Sequence, residues 1–336
     1  MEHRKPKIAI NGLGRIGRLV LRLLSDRNDV EVVAVNDLAP NAGLAHLITY
    51  DTAQRVFEKN VSADDTHIYI DGKSILSTSV KDIAALPWKD LGVDIVIECT
   101  GMARNTAKAM PHIQAGAQKV IISAPADEHV KTIVLGVNED LLSADDVIIS
   151  NASCTTNCLA PMVKVLQENF GIESAIMSTV HAYTGDQRLQ DGIHKSDLRR
   201  ARAAAQNITP TTSNATTTLE WVMPEMKGKL IGGAMRVPVI VGSLTELYAV
   251  LSSKTDVDAI NKAFKAAAEG PLKGILAYTE APIVSSDIIH DPHSCTFDAG
   301  LTDLVNDHFV KIVGWYDNEF GYANRLVELV VKVAYL

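Results

Sequence analysis

The chain has 336 residues, too many for one ordinary hydrophobic core, so two domains are expected. Apolar residues make up 47% and charged residues 21%, which excludes a disordered chain, and no apolar run approaches the roughly 18 residues that would cross a bilayer. A formal net charge of −8 argues against bulk nucleic-acid binding, and four cysteines without zinc-like or disulfide spacing (Cys99, Cys154, Cys158 and Cys295) point to a reducing, cytoplasmic setting.

The opening "MEHRKPKIAI" has a basic start but only a short apolar run, so no signal peptide is expected. "KIAI" predicts a buried strand. It runs into "NGLGRIGRLVLRLLSD", which becomes helical, with Ile16, Leu19, Val20, Leu23 and Leu24 as its apolar stripe. "VEVVAV", "VDIVIECT", "KVIISAP" and "VIIS" are further apolar strands, and "ARNTAKAMPHIQAG" is a helix between two of them. Alternating strands and helices predict a doubly wound parallel sheet of Rossmann type, with continuous apolar strands because both faces are covered.

The pattern changes after Cys154. "ESAIMSTVHAYT", "RVPVIVGSLTELYAVL" and "HFVKIVGWYD" read as strands lying near one another, which predicts a mixed α+β second domain. Between the first two lies a basic, strand-poor stretch, "HKSDLRRARAAAQNITPTTSNATTT". "DVDAINKAFKAAAEG" is helical with Asp256 or Asp258 as its cap, and "FGYANRLVELVVKVAYL" is a long amphipathic C-terminal helix.

Gly12, Gly14 and Gly17 form G-x-G-x-x-G after a strand and at the start of a helix, with Asp37 at the end of the second strand, twenty residues after Gly17. Each part has a physical task. Gly12 permits a tight turn, Gly14 lets a pyrophosphate approach the backbone, and Gly17 lets helix and strand pack closely. The helix N-terminus, with Arg15 and Ile16 in its first turn, attracts phosphate. Asp37 can accept from ribose hydroxyls and would repel a 2′-phosphate, which favours NAD over NADP.

Cys154 lies in "SNASCTTNCLAP", between an apolar strand and a helical segment. A free cysteine is more often a buried filler than a nucleophile. Its place at a helix N-terminus favours the thiolate, which is the reactive form, and the hydroxyls of Ser153 and Thr155 could hold an anion there.

"INGLGRIGR", "SNASCTTNCLAP", "HAYTGDQR", "DLRRARAAAQNI", "RVPV" and "WYDNEFGYANR" together resemble the glyceraldehyde-3-phosphate dehydrogenase family, in family order and over nearly the whole chain. The resemblance implies an NAD-binding domain over 1–153, completed by a C-terminal helix at 318–336, and a catalytic domain over 154–317. It also implies a homotetramer acting on a small aldehyde phosphate and inorganic phosphate, while the apolar runs and net charge point away from a membrane or nucleic acid as partner. It assigns the nucleophile to Cys154 and the base to His181. Lys81, Ser123 and Asn318 join the NAD-contacting residues. The substrate phosphate falls to Thr184 and Arg236, and the attacking inorganic phosphate to Ser153, Thr155, Arg200 and the Ser213–Asn214 segment. No metal is expected, since His290 and His293 in "HDPHS" lack further partners. The implied activity is phosphorylating oxidation of D-glyceraldehyde 3-phosphate with NAD through a Cys154 thioester.

The chain departs from the family pattern at four places, one of them "TYDTAQR" in place of "KYDSVHG". "PTTSNATTT" replaces "PTSTGAAKA", so Asn214 stands where a glycine would let phosphate approach; "HKSDLRR" carries one extra residue; and "CTGMAR" puts Ala103 where an aromatic residue would cover the adenine. Ser213–Asn214 leaves room for an erythrose-4-phosphate dehydrogenase, and an oxidation-prone thiol with the basic "RRAR" leaves room for a non-catalytic redox-sensing or nucleic-acid-binding protein.

Overall fold

The structure, a computed structural model, describes residues 4–336. They form two compact units. The first holds the residues up to Ile133, Asp140–Ala152 and Ala323–Leu336, and the second holds Val134–Glu139 and Ser153–Tyr322. Compared with the boundaries expected from sequence, Val134–Glu139 goes with the second unit. The C-terminal helix spans Phe320–Ala334, and the chain returns to the first unit at Ala323.

The first unit is built on a nine-stranded sheet. Its centre is parallel: Glu31–Asn36, Lys7–Asn11, Ile95–Glu98, Lys119–Ile122 and Ile148–Ser150 lie side by side in that order. Ile8, Ile10, Val96, Ile97, Val120 and Ile121 are fully buried, as expected of strands covered on both faces. One edge departs from the all-parallel expectation. Val61–Ala63, His67–Ile70 and Lys73–Thr78 form an antiparallel meander, turned by Asp71 and Gly72, both at positive φ (49° and 77°). An Asp-Gly pair between two short strands is a two-residue hairpin signal, because its turn needs positive φ at both central positions.

The helix Arg15–Ser25 buries Leu19, Val20, Leu21 and Leu24, whereas Ile16 and Leu23 are only half-buried. Arg22 is also buried, contrary to the polar place its charge suggests. Its guanidinium donates to the carbonyls of Ile48 and Thr49 at the end of the helix Asn41–Thr49 and lies over the Phe57 ring. The negative end of a helix dipole and an aromatic face both favour a cation there.

The second unit pairs the helix Cys154–Phe170 with an eight-stranded mixed sheet. Ile172–Ala182 runs parallel to Leu230–Val237 and antiparallel to Ser243–Leu251, which pairs in turn with Phe309–Tyr316. The apolar run "RVPVIVGSLTELYAVL" is therefore two strands, broken at Gly242 (φ 95°). The basic stretch is not free of regular structure: it contains the strand Thr209–Thr211 and the helix Ala215–Val222. Along Ile172–Ala182 the buried positions Ala175, Met177, Thr179 and His181 alternate with more exposed ones. A two-residue period thus puts His181 on the core-facing side of its strand. Asp256 caps the helix Val257–Glu269 by accepting from Ala259 N at 2.7 Å, which settles the choice between the two candidate caps. No helix among the described residues is long and apolar enough to cross a membrane.

Candidate active site

Within the first unit, the glycine loop lies at the carboxyl ends of the central strands. Gly12 has φ 95°, and a Cβ there would sit 2.8 Å from Thr100 N. A Cβ at Gly17 would lie 2.0 Å from Gly12 O, so close packing excludes any side chain. Gly14 is the N-cap of the following helix and has open space where a side chain would stand, leaving its backbone approachable by a ligand. Asp37 accepts from Leu13 N at 2.7 Å and from Ala39 N at 2.9 Å, so the carboxylate holds the loop as well as facing the end of its strand. Arg15 pairs with Asp51, and Ile16 is half-buried beside it in the same turn. Lys81 is exposed just beyond Val80, whose N–H donates to Asn36. Ser123 follows the strand Lys119–Ile122 and donates its N–H to Glu98 O.

A buried polar network under this loop was not anticipated from the sequence. Trp88 Nε1 donates to His112 Nδ1 at 3.0 Å, and an indole N–H can only donate. His112 therefore carries its proton on Nε2, which faces Glu98 Oε2 at 2.9 Å. Glu98 also accepts from Asn11 Nδ2 at 2.6 Å and from Thr100 N at 2.8 Å, and Asn11 accepts from Asn36 Nδ2 at 2.8 Å. Burial pushes the Glu98 carboxyl up, but hydrogen bonds from His112, Thr100 and Asn11 outweigh it and hold the group below the usual carboxylate range. The only sequence signal was a set of polar residues interrupting or following apolar strands.

Ala103 is fully buried in a cluster with Ala109, Val120, Ile122 and Val130 and packs the core.

In the second unit, Ser153 is the N-cap of the Cys154 helix, accepting from Thr156 N at 3.0 Å. Its hydroxyl also bonds Thr156 Oγ1, so capping already occupies a group expected to meet phosphate. Cys154 Sγ lies 3.5 Å from His181 Nε2. The thiol is partly accessible, but burial pushes its pKa up, opposed by the Arg236 charge and by hydrogen bonding from Thr155. Burial, with the Arg236 charge behind it, pushes His181 down to about 3. Burial thus disfavours the charged form of both groups and opposes the helix end, which favours the thiolate.

His181 Nδ1 lies 2.7 Å from Ala182 O, and an Arg236 nitrogen approaches both Nδ1 (2.5 Å) and that carbonyl (3.1 Å). These contacts follow from the strand register, which sets His181 beside Arg236. The two approaches to Nδ1 exclude each other. If Nδ1–H donates to Ala182, the Nε2 lone pair faces the thiol and can take its proton. Arg236 is then satisfied at the same carbonyl.

The remaining residues are less concentrated. Thr184 stands just past the His181 strand and donates its N–H to Gln187. Arg200 is already engaged, with Asp186 at 2.5 Å and Thr211 at 2.8 Å. Ser213 accepts from Ala215 N. Asn214 is exposed at the start of the helix Ala215–Val222 with φ −86°, so its backbone does not need glycine and its side chain does not fill the interior. Asn318 is buried and accepts through Oδ1 from Ser243 Oγ at 3.0 Å and Gly242 N at 3.2 Å, which fixes the orientation of its amide. Tyr316 went unnoticed in the sequence because its partners, Thr155 and Thr179, are more than a hundred residues away. No group of three or more potential metal ligands occurs among the described residues; His293 is bonded to Asp291.

A dinucleotide-type loop on a parallel sheet, joined in one chain to a unit carrying a thiol–imidazole pair, has the constitution of a nucleotide-dependent dehydrogenase. Two family models match: the glyceraldehyde 3-phosphate dehydrogenase NAD binding domain over residues 6–106 and the C-terminal domain over residues 153–318. The chain is also 56% identical over 336 residues to the glyceraldehyde-3-phosphate dehydrogenase of Mycolicibacterium smegmatis, covering 97% of this chain and 98% of that one. It is 56% identical over 335 residues to the Mycobacterium tuberculosis protein of that name and 56% over 330 to the Streptomyces coelicolor one, each with 97% and 98% coverage. The chain belongs to the glyceraldehyde 3-phosphate dehydrogenase family, whose first domain binds NAD.

Proposed function

We propose that the protein oxidises D-glyceraldehyde 3-phosphate to 1,3-bisphosphoglycerate, with NAD and inorganic phosphate, through a thioester on Cys154. The observation that carries this reading is the 3.5 Å approach of Cys154 Sγ to His181 Nε2 at the start of a 17-residue helix, in a chain of this family. The open backbone at Gly14, the turn at Gly12 and Gly17, and the Asp37 carboxylate suit a pyrophosphate and a ribose, and Asn318 offers the amide group that would orient a nicotinamide. Bound NAD supplies the hydride acceptor.

His181 takes the thiol proton, and the Cys154 thiolate adds to the aldehyde carbon. The oxyanion that forms is held by backbone N–H groups at the helix start and by the protonated imidazole. Loss of hydride leaves an acyl group on Sγ. An oxygen of inorganic phosphate then attacks the acyl carbon, the acyl phosphate leaves, and the thiolate is regenerated. A thioester suits this relay because the sulfur is both a strong nucleophile and a good leaving group. Arg236, beside His181, is assigned to the substrate phosphate with Thr184. Arg200, Ser213 and Asn214 are assigned to inorganic phosphate, which must draw Arg200 away from Asp186.

The four-carbon reading and the non-catalytic reading are not favoured by a chain 56% identical to proteins named for the three-carbon substrate. Self-association into a homotetramer is supported by apolar side chains left in water in the second unit, including Ile193 (92% exposed) and Ile231 (68%), with Leu189, Leu198, Ile208 and Ile176. Four cysteines in thiol form suit the cytoplasm. NAD reduction should be followed with the three-carbon and the four-carbon aldehyde phosphate, each with and without inorganic phosphate. We expect fast reduction only with the three-carbon aldehyde and phosphate together. Phosphate-independent turnover that prefers the four-carbon aldehyde would overturn the assignment.

A further inference from the structure

The arginine assigned to inorganic phosphate is already gripped by carboxylates. Arg200 Nη1 donates to Asp186 Oδ2 at 2.5 Å. Arg200 Nε donates to Thr211 Oγ1 at 2.8 Å and lies 3.3 Å from Asp197 Oδ2. Nη2 is the loosest arm, with only a 3.5 Å approach to the Thr212 carbonyl.

Both carboxylates are set in place by their surroundings. Asp197 accepts from the N–H groups of Arg199 and Arg200, at 2.8 and 3.4 Å, and from Thr211 Oγ1 at 3.0 Å. Asp186 lies in a turn that its own side chain does not close. Gln187 N donates to Thr184 O at 3.0 Å, and Thr184 N to Gln187 Oε1 at 3.3 Å. The other carboxylate oxygen of Asp186 faces His194 Nε2 at 3.5 Å. His194 is buried, and its Nδ1 accepts from Ser196 N at 3.3 Å and Asp197 N at 3.0 Å. Its ring hydrogen therefore sits on Nε2, toward Asp186. Those two N–H groups belong to "HKSDLRR", the stretch with one residue more than the family pattern.

Carboxylate and phosphate oxygens fit the same guanidinium fork. A phosphate arriving at Nη2 would complete its pair of bonds at Nη1, the nitrogen that Asp186 holds. Two carboxylates against one guanidinium also cancel the charge that would draw an anion to it.

We propose that Asp186, oriented by His194, is an internal competitor for Arg200 that keeps the affinity for the attacking phosphate low. The inference rests on Arg200 serving inorganic phosphate, and it adds the residue that sets how tightly that phosphate is held. Phosphate binding exchanges one charge-assisted bond for another, so the net gain is small. Burial pushes the Asp186 carboxyl up, but the hydrogen bond and charge of Arg200 outweigh it and hold the group below the usual carboxylate range. The competitor therefore stays ionised near neutral pH. Asp186 acts through Arg200, which makes it a positioning residue.

The test uses Asp186→Asn in the full-length enzyme. Asparagine keeps the shape and an oxygen that can accept from Nη1, and removes the charge. The ion pair is partly exposed, so its loss costs little stability. With NAD and D-glyceraldehyde 3-phosphate saturating, two constants are measured: the KM for inorganic phosphate and the inhibition constant of sulfate against phosphate. Both should fall about tenfold, the low end for one charge-assisted hydrogen bond. The KM for the aldehyde should stay at the parent value. Asp186→Ser, in a turn closed without this side chain, should lower both constants as well, and it decides the matter if Asp186→Asn does not fold. Constants equal to the parent's would show a purely structural ion pair, and raised constants would show that the carboxylate aims Arg200 at phosphate; either result overturns the competition. Failure of the underlying assignment would appear separately, as a phosphate KM that Arg200→Ala leaves unchanged.

Discussion

Replacing Cys154 with serine should lower NAD reduction by at least about a thousandfold, as loss of an activated nucleophile does in enzymes that form covalent intermediates, while NAD binds as before. The oxygen is smaller and far less acidic than sulfur, so His181 cannot generate the alkoxide to a comparable extent. An ester formed there would also be a poorer donor to phosphate. The substitution leaves the helix start intact, since Ser153 is the cap and serine is tolerated in a first turn. The glycine loop belongs to the other unit, so its affinity should not change. Steady-state rates with the three-carbon aldehyde, together with the NAD dissociation constant, check both halves. A serine variant turning over near the parent rate would remove the covalent step.

The second large effect is expected at His181. His181→Asn should reduce turnover by about 10²- to 10⁴-fold, the range for losing a general acid–base group. It should also move the alkylation profile of Cys154 to higher pH. The sign follows from burial. Burial favours the neutral thiol, so without a partner the proton must leave to solvent from a site that resists the charge. In the parent protein the proton passes to Nε2, and the resulting imidazolium faces the thiolate at 3.5 Å. Burial and the Arg236 charge disfavour the imidazolium, so the proton that His181 takes is held there by the facing thiolate and not by the basicity of the free imidazole. An unchanged alkylation profile in His181→Asn would mean that the imidazole neither takes the proton nor stabilises the anion.

What the sequence made legible was chemistry carried by spacing along the chain. The three glycines have to fall where they do because Gly17 has no room for a side chain and Gly12 turns with positive φ. His181 was legible through its motif, and its facing direction follows from the two-residue period of its strand. Other features depend on residues distant in sequence and brought together only by the fold. The Trp88–His112–Glu98–Asn11–Asn36 network needs adjacent strand ends in register. Tyr316 meets Thr155 and Thr179 through sheet pairing and helix placement. The burial of Arg22 follows from a neighbouring helix that ends against it, which periodicity along its own helix does not show. At Asn214 the φ of −86° shows that the backbone itself does not require the family's glycine. The Asp71–Gly72 hairpin follows from local turn chemistry and lies outside the strand–helix alternation of the parallel sheet.

The covalent route requires an acyl group to rest on one sulfur, Cys154 Sγ. It is tested most directly by mixing the enzyme with NAD and D-glyceraldehyde 3-phosphate without inorganic phosphate, quenching in acid, and weighing the peptide that contains Cys154. A mass increase of one phosphoglyceroyl group on Cys154, discharged when phosphate is added before the quench, is the predicted result. An unmodified Cys154 peptide under conditions where NAD has been reduced would contradict it.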